Sequence, residues 1–213
     1  MKKNSIFYFL LWCCVFTLFL LKDSAAQTRS DYGISAGVAL PVGSFASSDI
    51  LSDDPLDPSY IDFRNGASVG VAASFRYTYY WDGIFTEKDA LGIYAEVGVI
   101  WNPVNKSIKD LLETNYQYLN YHLNLGPSFS YYLGKSEEFS LYGELGVIVG
   151  SSTLMKSSRS LGMGIGATAG FGIDYMERVR IGMHYHFLGM MKIGDTDEKI
   201  TPHILQLRIG VHF

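Results

Sequence analysis

Residues 161–175 read LGMGIGATAGFGIDY and alternate without a break between two kinds of side chain. Leu161, Met163, Ile165, Ala167, Ala169, Phe171, Ile173 and Tyr175 fall on one side, and Gly162, Gly164, Gly166, Thr168, Gly170, Gly172 and Asp174 on the other. A period of two belongs to an extended strand with unlike faces. The polar side of a soluble sheet carries Lys, Glu and Thr, whereas here the second face is almost all glycine. A bare face of this kind suits a place where backbones and side chains crowd together. The crowded side is therefore expected inside and the apolar side outside.

The same alternation continues in both directions. Eight strands are predicted, at about 32–42, 66–80, 90–101, 116–133, 139–150, 160–176, 178–189 and 202–213. Their apolar faces, from Tyr32–Leu40 through to Leu205–Phe213, contain no charged residue. A lipid-facing wall requires this, because a charge at the bilayer midplane costs about 2–4 kcal/mol. Tyr77, Tyr79, Trp81, Trp101, Tyr131, Phe139, Tyr175 and Phe187 gather near strand ends, where amphipathic rings meet a membrane interface. Longer connections (43–65, 102–115, 151–159 and 190–201) alternate with tighter ones (81–89, 134–138 and near 177). The pattern predicts an all-β fold, an eight-stranded antiparallel up-and-down transmembrane β-barrel. Pro127, inside the fourth strand, is expected to mark a bulge.

Two regions lie outside this pattern. MKKNSIFYFLLWCCVFTLFLLKDSAAQ begins with Lys2 and Lys3, continues through an apolar run from Ile6 to Leu21, and reaches Ser24-Ala25-Ala26. It reads as a secretory signal peptide over residues 1–26, leaving 27–213 as a single barrel domain. Trp12 before Cys13 does not fit a lipoprotein signal. Cys13 and Cys14 both lie in this segment, so the exported part has no thiol, disulfide or cysteine-ligated metal. The whole chain carries −4, and removal of Lys2, Lys3, Lys22 and Asp23 makes the remainder more acidic. That excludes nucleic acid as an expected partner.

The last segment, LRIGVHF (207–213), alternates up to its final residue, with Leu207, Ile209, Val211 and Phe213 on the outer side. With NYHLNLGPSFSYYLG (120–134) and LQLRIGVHF (205–213), the sequence resembles the small outer-membrane β-barrel superfamily, the OmpA-domain and OmpX-like proteins, and "porin family" or PorT-like members within it. The resemblance covers essentially the whole exported chain. It implies residence in the bacterial outer membrane with both termini periplasmic. It also implies that Leu207, Ile209, Val211 and Phe213 form the signal read by the barrel-assembly machinery. Outer-membrane lipid and lipopolysaccharide are then the surroundings, and an envelope protein partner is a further expectation.

An eight-stranded barrel is just wide enough for side chains to fill it, so no open pore is expected. Inward-facing ionisable residues by parity are Arg76, Glu96, His122, Glu144, Asp174, Arg180, His184, His186, Arg208 and His212. Buried charges need partners, and these residues read as a structural lumen network. Asp174 is expected opposite Arg180 around the turn near Glu177, and Glu96 near His122. His184 and His186 share a face and could begin a metal site with His122 or a carboxylate, but no dense ligand cluster supports this and no metal is assigned. The acidic stretch SSDILSDDPLDPSYID (47–62) lacks EF-hand spacing, and with GDTDEK (194–199) it reads as solvated loop. No serine lies in a recognisable motif with histidine and acid. Gly-x-Gly-x-Gly in the sixth strand is followed by no helix, so it is no phosphate loop. The expectation is a non-enzymatic barrel without cofactor, giving envelope integrity and surface-loop contacts. The alternatives are a component of an envelope secretion or assembly complex, or a lipid-modifying barrel enzyme.

Overall fold

The computed structural model describes residues 27–47, 66–106, 109–110, 117–134, 138–155, 159–189, 191–192 and 199–213. The proposed signal peptide, the acidic 47–62 stretch beyond Ser47 and most of 194–199 lie outside these residues. Eight long strands are present: β1 (Gln27–Pro41), β2 (Gly70–Asp82), β3 (Asp89–Pro103), β4 (Gln117–Leu133), β5 (Phe139–Met155), β6 (Arg159–Tyr175), β7 (Val179–Phe187) and β10 (His203–His212). They close into a ring in the order β1-β10-β7-β6-β5-β4-β3-β2, every pair antiparallel. Two short strands, β8 (Met191–Lys192) and β9 (Lys199–Ile200), form a separate ribbon in the long connection 190–201. Closure leaves no free sheet edge, which is what a wall in hydrocarbon demands.

Parity places the faces as the alternation predicts. Ile34, Val71, Val97, Leu125, Leu145, Ile165, Ile181 and Ile209, one from each long strand, all point outward and are exposed. Arg76, Glu96, His122, Glu144, Asp174, Arg180, His184, His186, Arg208 and His212 all point inward and are buried. At this level the molecule is thus inside-out relative to a soluble barrel, with its charges in the middle and its aliphatic side chains at the surface. Hydrophobic burial cannot hold such a barrel together in water; the wall is built for lipid.

Several boundaries differ from expectation. β1 begins at Gln27 because the polar stretch Gln27–Asp31 pairs with Thr78–Asp82 beyond the apolar belt. β2 begins at Gly70, since Ala67 makes only an isolated bridge to Val104. The β5–β6 connection shrinks to residues 156–158, because pairing continues through Thr153–Ser160 and Leu154–Arg159 after a register shift between Ser151 and Thr153. Polar residues past the belt still pair; they merely stop marking the faces. Pro127 does not form a bulge. Leu125 pairs Val147 and Ser128 pairs Glu144, which is one unbroken register, so the missing amide leaves a gap in the ladder without displacing it.

The interior has two levels. The one nearer the chain termini is charged. The other, toward the longer connections, is mainly apolar: Ala39, Ala72, Ile100, Ile148, Leu188 and Ile204 meet there, with Asn102 and Asn120 buried beside them. Phe45, on the short 3-10 helix Gly43–Phe45 that follows β1, folds into this cluster and is fully buried. Its ring meets that of Tyr118 edge-on at 5.1 Å. The lumen, expected to be plugged by a polar network, is charged over only part of its length. Ile100, Ile148 and Ile204 have inward parity, and a loop residue supplies the stopper.

Candidate functional site

The charged level is built on three arginines and three carboxylates. β6 and β7 are joined by a tight turn in which Met176 and Glu177 both take positive φ, 51° and 56°. The two left-handed residues open the three-residue connection 176–178, in which Arg178 N donates back to Tyr175 O, although asparagine and glycine are the usual occupants of such positions. The turn sets Asp174 directly opposite Arg180. Arg180 donates from Nε and Nη2 to the two Asp174 carboxylate oxygens, each at 2.7 Å, and from Nη1 to Glu144 Oε1 at 2.8 Å. Glu144 also accepts from Arg76 Nη1 at 2.7 Å, across the lumen from β2. One carboxylate thus joins two arginines, and a planar fork suits each contact.

A second cluster adjoins the first. Arg208 Nη1 donates to Glu96 Oε2 at 2.9 Å and to Ser74 Oγ at 3.0 Å, while Asn124 Nδ2 donates to Glu96 Oε1 at 3.0 Å. Glu96 lies opposite Arg76 in register and one inward position along from His122. His122 Nε2 stands 3.6 Å from Glu96 Oε1. His184 bonds the Tyr142 hydroxyl at 3.1 Å. His212 lies against Gly33, where an added Cβ would come 3.2 Å from its ring.

Tyrosines complete the packing. Arg76 stacks over Tyr94 at 4.2 Å and Arg180 over Tyr142 at 4.1 Å. Tyr142 lies across Gly182, where an added Cβ would overlap its hydroxyl. These tyrosines were not singled out in the sequence, yet a signal exists. Residues 93–100 read IYAEVGVI and residues 141–148 read LYGELGVI. Each segment sets a tyrosine two residues before a lumen glutamate, then a glycine, then an isoleucine of the apolar level.

Little space is left. A lumen void lined by Arg76, Glu96, Tyr142, Arg180, His184 and Arg208 among others has a volume of about 20 Å³, room for one water. A larger apolar hollow of about 680 Å³ is on the outer wall, where Gly143 and Ala169 lie low between Phe129, Leu145, Phe171 and Tyr185. It faces the surroundings of the wall rather than the lumen, and acyl chains can fill it.

At the rim by the termini, a second polar constellation spans the opening. Arg29 donates to Tyr132 Oη at 2.7 Å and to Glu177 Oε2 at 2.8 Å, and the Tyr132 hydroxyl donates to Glu177 Oε1 at 2.5 Å. Phe213 lies at the same end. Its amide donates to Tyr32 O at 2.8 Å, and its carbonyl accepts from Tyr32 N at 3.0 Å. Its ring is 69% exposed and stacks near Tyr32, with Leu207, Ile209 and Val211 exposed along the same outer row.

Parity places the histidines inside but does not tell which rings meet. His186 on β7 and His122 on β4 stand on non-adjacent strands, yet their rings meet across the lumen at 4.9 Å. With Glu96 they form a buried group whose ligand atoms all lie within 4.8 Å of one another.

No protein-family model matches the chain, and no curated protein matches it. Among solved structures, the chain is similar to Neisserial surface protein A, at 12% identity over 87% of this chain and 97% of that one, with a TM-score of 0.49. It is also similar to the outer membrane protein OprG from Pseudomonas aeruginosa, at 18% identity over 90% and 99% of the two chains, with a TM-score of 0.45. The outer membrane enzyme PagL is similar at 10% identity over 85% and 98%, with a TM-score of 0.48.

Proposed function

We propose that the protein is an integral bacterial outer-membrane barrel, exported by the N-terminal signal and held with both termini on the periplasmic side. In this role it is a non-enzymatic wall element whose loops make the surface contacts. It would be kin to the OmpA-domain, OmpX-like or PorT-like small barrels that the sequence resembles. The observation that carries the proposal is the pairing of an uncharged apolar exterior with a filled interior. A wall of that kind has its place in a bilayer, and a lumen with room for one water passes no solute and admits no substrate to its carboxylates and histidines. Phe213 and the outer row behind it offer an exposed apolar strand end for the assembly machinery.

The test joins three measurements on cells of the native host or a Gram-negative surrogate. Fractionation should place the folded chain in the outer membrane, as a band whose gel mobility changes on boiling. Planar bilayers containing the purified barrel should show no steady conductance. The lipid A profile of a deletion strain should match that of the parent. A discrete conductance would overturn the sealed-lumen account, and an altered lipid A would overturn the non-enzymatic one.

A further inference from the structure

We infer that the lumen holds a single zinc-class divalent cation between His122, His186 and Glu96. Two observations point to it independently. The first is geometric: one imidazole nitrogen from each histidine and one oxygen of Glu96 lie within 4.8 Å of one another, and His122 Nε2 and Glu96 Oε1 are already 3.6 Å apart. Ligand atoms in a tetrahedral zinc shell, each about 2.0–2.1 Å from the ion, stand roughly 3.3 Å apart. The two rings must turn toward Glu96 to reach that spacing. The second is unsatisfied chemistry. Both nitrogens of His122 and both of His186 are buried with no hydrogen-bond partner, and His186 is 0% exposed. A neutral imidazole offers one donor and one acceptor, and a buried site that leaves both idle is costly. His184, only two residues from His186, does not share this condition, because Tyr142 serves it.

Each ligand has a support. Gly98 lies under His122, where an added Cβ would come 2.6 Å from the ring, so a bare backbone makes room for the imidazole. Arg208 holds the far oxygen of Glu96, while Oε1, which also accepts from Asn124, is the oxygen 3.6 Å from His122. The same arginine opposes a cation, so binding is expected to be weaker than at a site with two carboxylates. Two imidazoles and one carboxylate suit zinc, with a water in the fourth position. The apolar level and the filled charged level close the approaches on either side, so the ion enters as the barrel folds.

The test uses the untagged barrel refolded from urea into detergent, with and without equimolar zinc chloride, then passed over a chelating resin. Metal analysis is expected to find one zinc per folded barrel. Separate His122→Gln and His186→Gln variants should each fall at least tenfold in retained zinc, while His203→Gln, whose ring sits on the outer face, should retain it fully. Folding is checked by the gel mobility of unboiled samples. Where a variant fails to fold, cobalt loading of the parent decides. Intense tetrahedral ligand-field bands with imidazole coordination support the site. No retained metal, or retention unchanged in both folded variants, overturns it and leaves the two histidines to buried water.

Discussion

The two levels of the lumen fill the same cylinder by opposite means. Near the termini, Arg76, Arg180 and Arg208 are matched by Glu96, Glu144 and Asp174, and almost every contact is directional. Toward the longer connections, Phe45, Ile100, Ile148, Leu188 and Ile204 simply occupy space. Losing a methylene from the second group leaves a small cavity, a graded cost. Losing one charge from the first leaves its partner buried and alone, a cost with no gradation. The charged level thus ties together strands that are not neighbours, and the apolar level fills the rest of the cylinder.

Substitutions can break that contrast or sharpen it. Glu144→Leu strands Arg76 and removes one of the two carboxylates on Arg180. It is expected to cost about 3–5 kcal/mol, read as a lowered urea midpoint for the folded band. Phe45→Ala, at the apolar level, should cost about 3 kcal/mol and should speed amide exchange in the neighbouring residues, with the charged level still protected. If both variants lose protection throughout the barrel, the levels are not separate. Adding Arg76→Met to Glu144→Leu should restore about 2 kcal/mol, because Arg180 keeps its two bonds to Asp174 while no lone arginine remains. Gly182→Ala drives a methyl into Tyr142 and should cost about 1–3 kcal/mol, visible as a shifted tyrosine near-ultraviolet signal. Ser35→Ala removes a 2.7 Å hydrogen bond to Ser74 at the edge of the network. It should cost about 1 kcal/mol and leave the tyrosine signal unchanged.

The wall was legible in the sequence because alternation reports on faces, and lipid allows no charged exception. Asp174 and Arg180 could be matched because only a tight turn separates them. Glu144 and Arg76 are 68 residues apart and belong to non-adjacent strands, so parity placed both inside without pairing them. The same holds for His122 and His186. Phe45 escaped notice because it lies in a loop, where alternation carries no information. The extension of β5 and β6 was missed because the faces stop differing once the chain leaves the apolar belt. Pro127 misled for another reason: in a closed wall with neighbours on both sides, one absent amide is tolerated without a change of register.

The constellation of Arg29, Tyr132 and Glu177 adds little to stability, since its members are partly exposed and screened. Its geometry matters more. Around the ring, β1, β4 and the β6–β7 turn are spaced by nearly equal thirds. A cylinder of paired strands can flatten into an ellipse without breaking a single ladder bond, because each pair only hinges slightly on the next. Three short struts meeting over the opening resist every direction of that flattening at once. The rim is thus tied across its opening from three sides, as a tripod joins its legs.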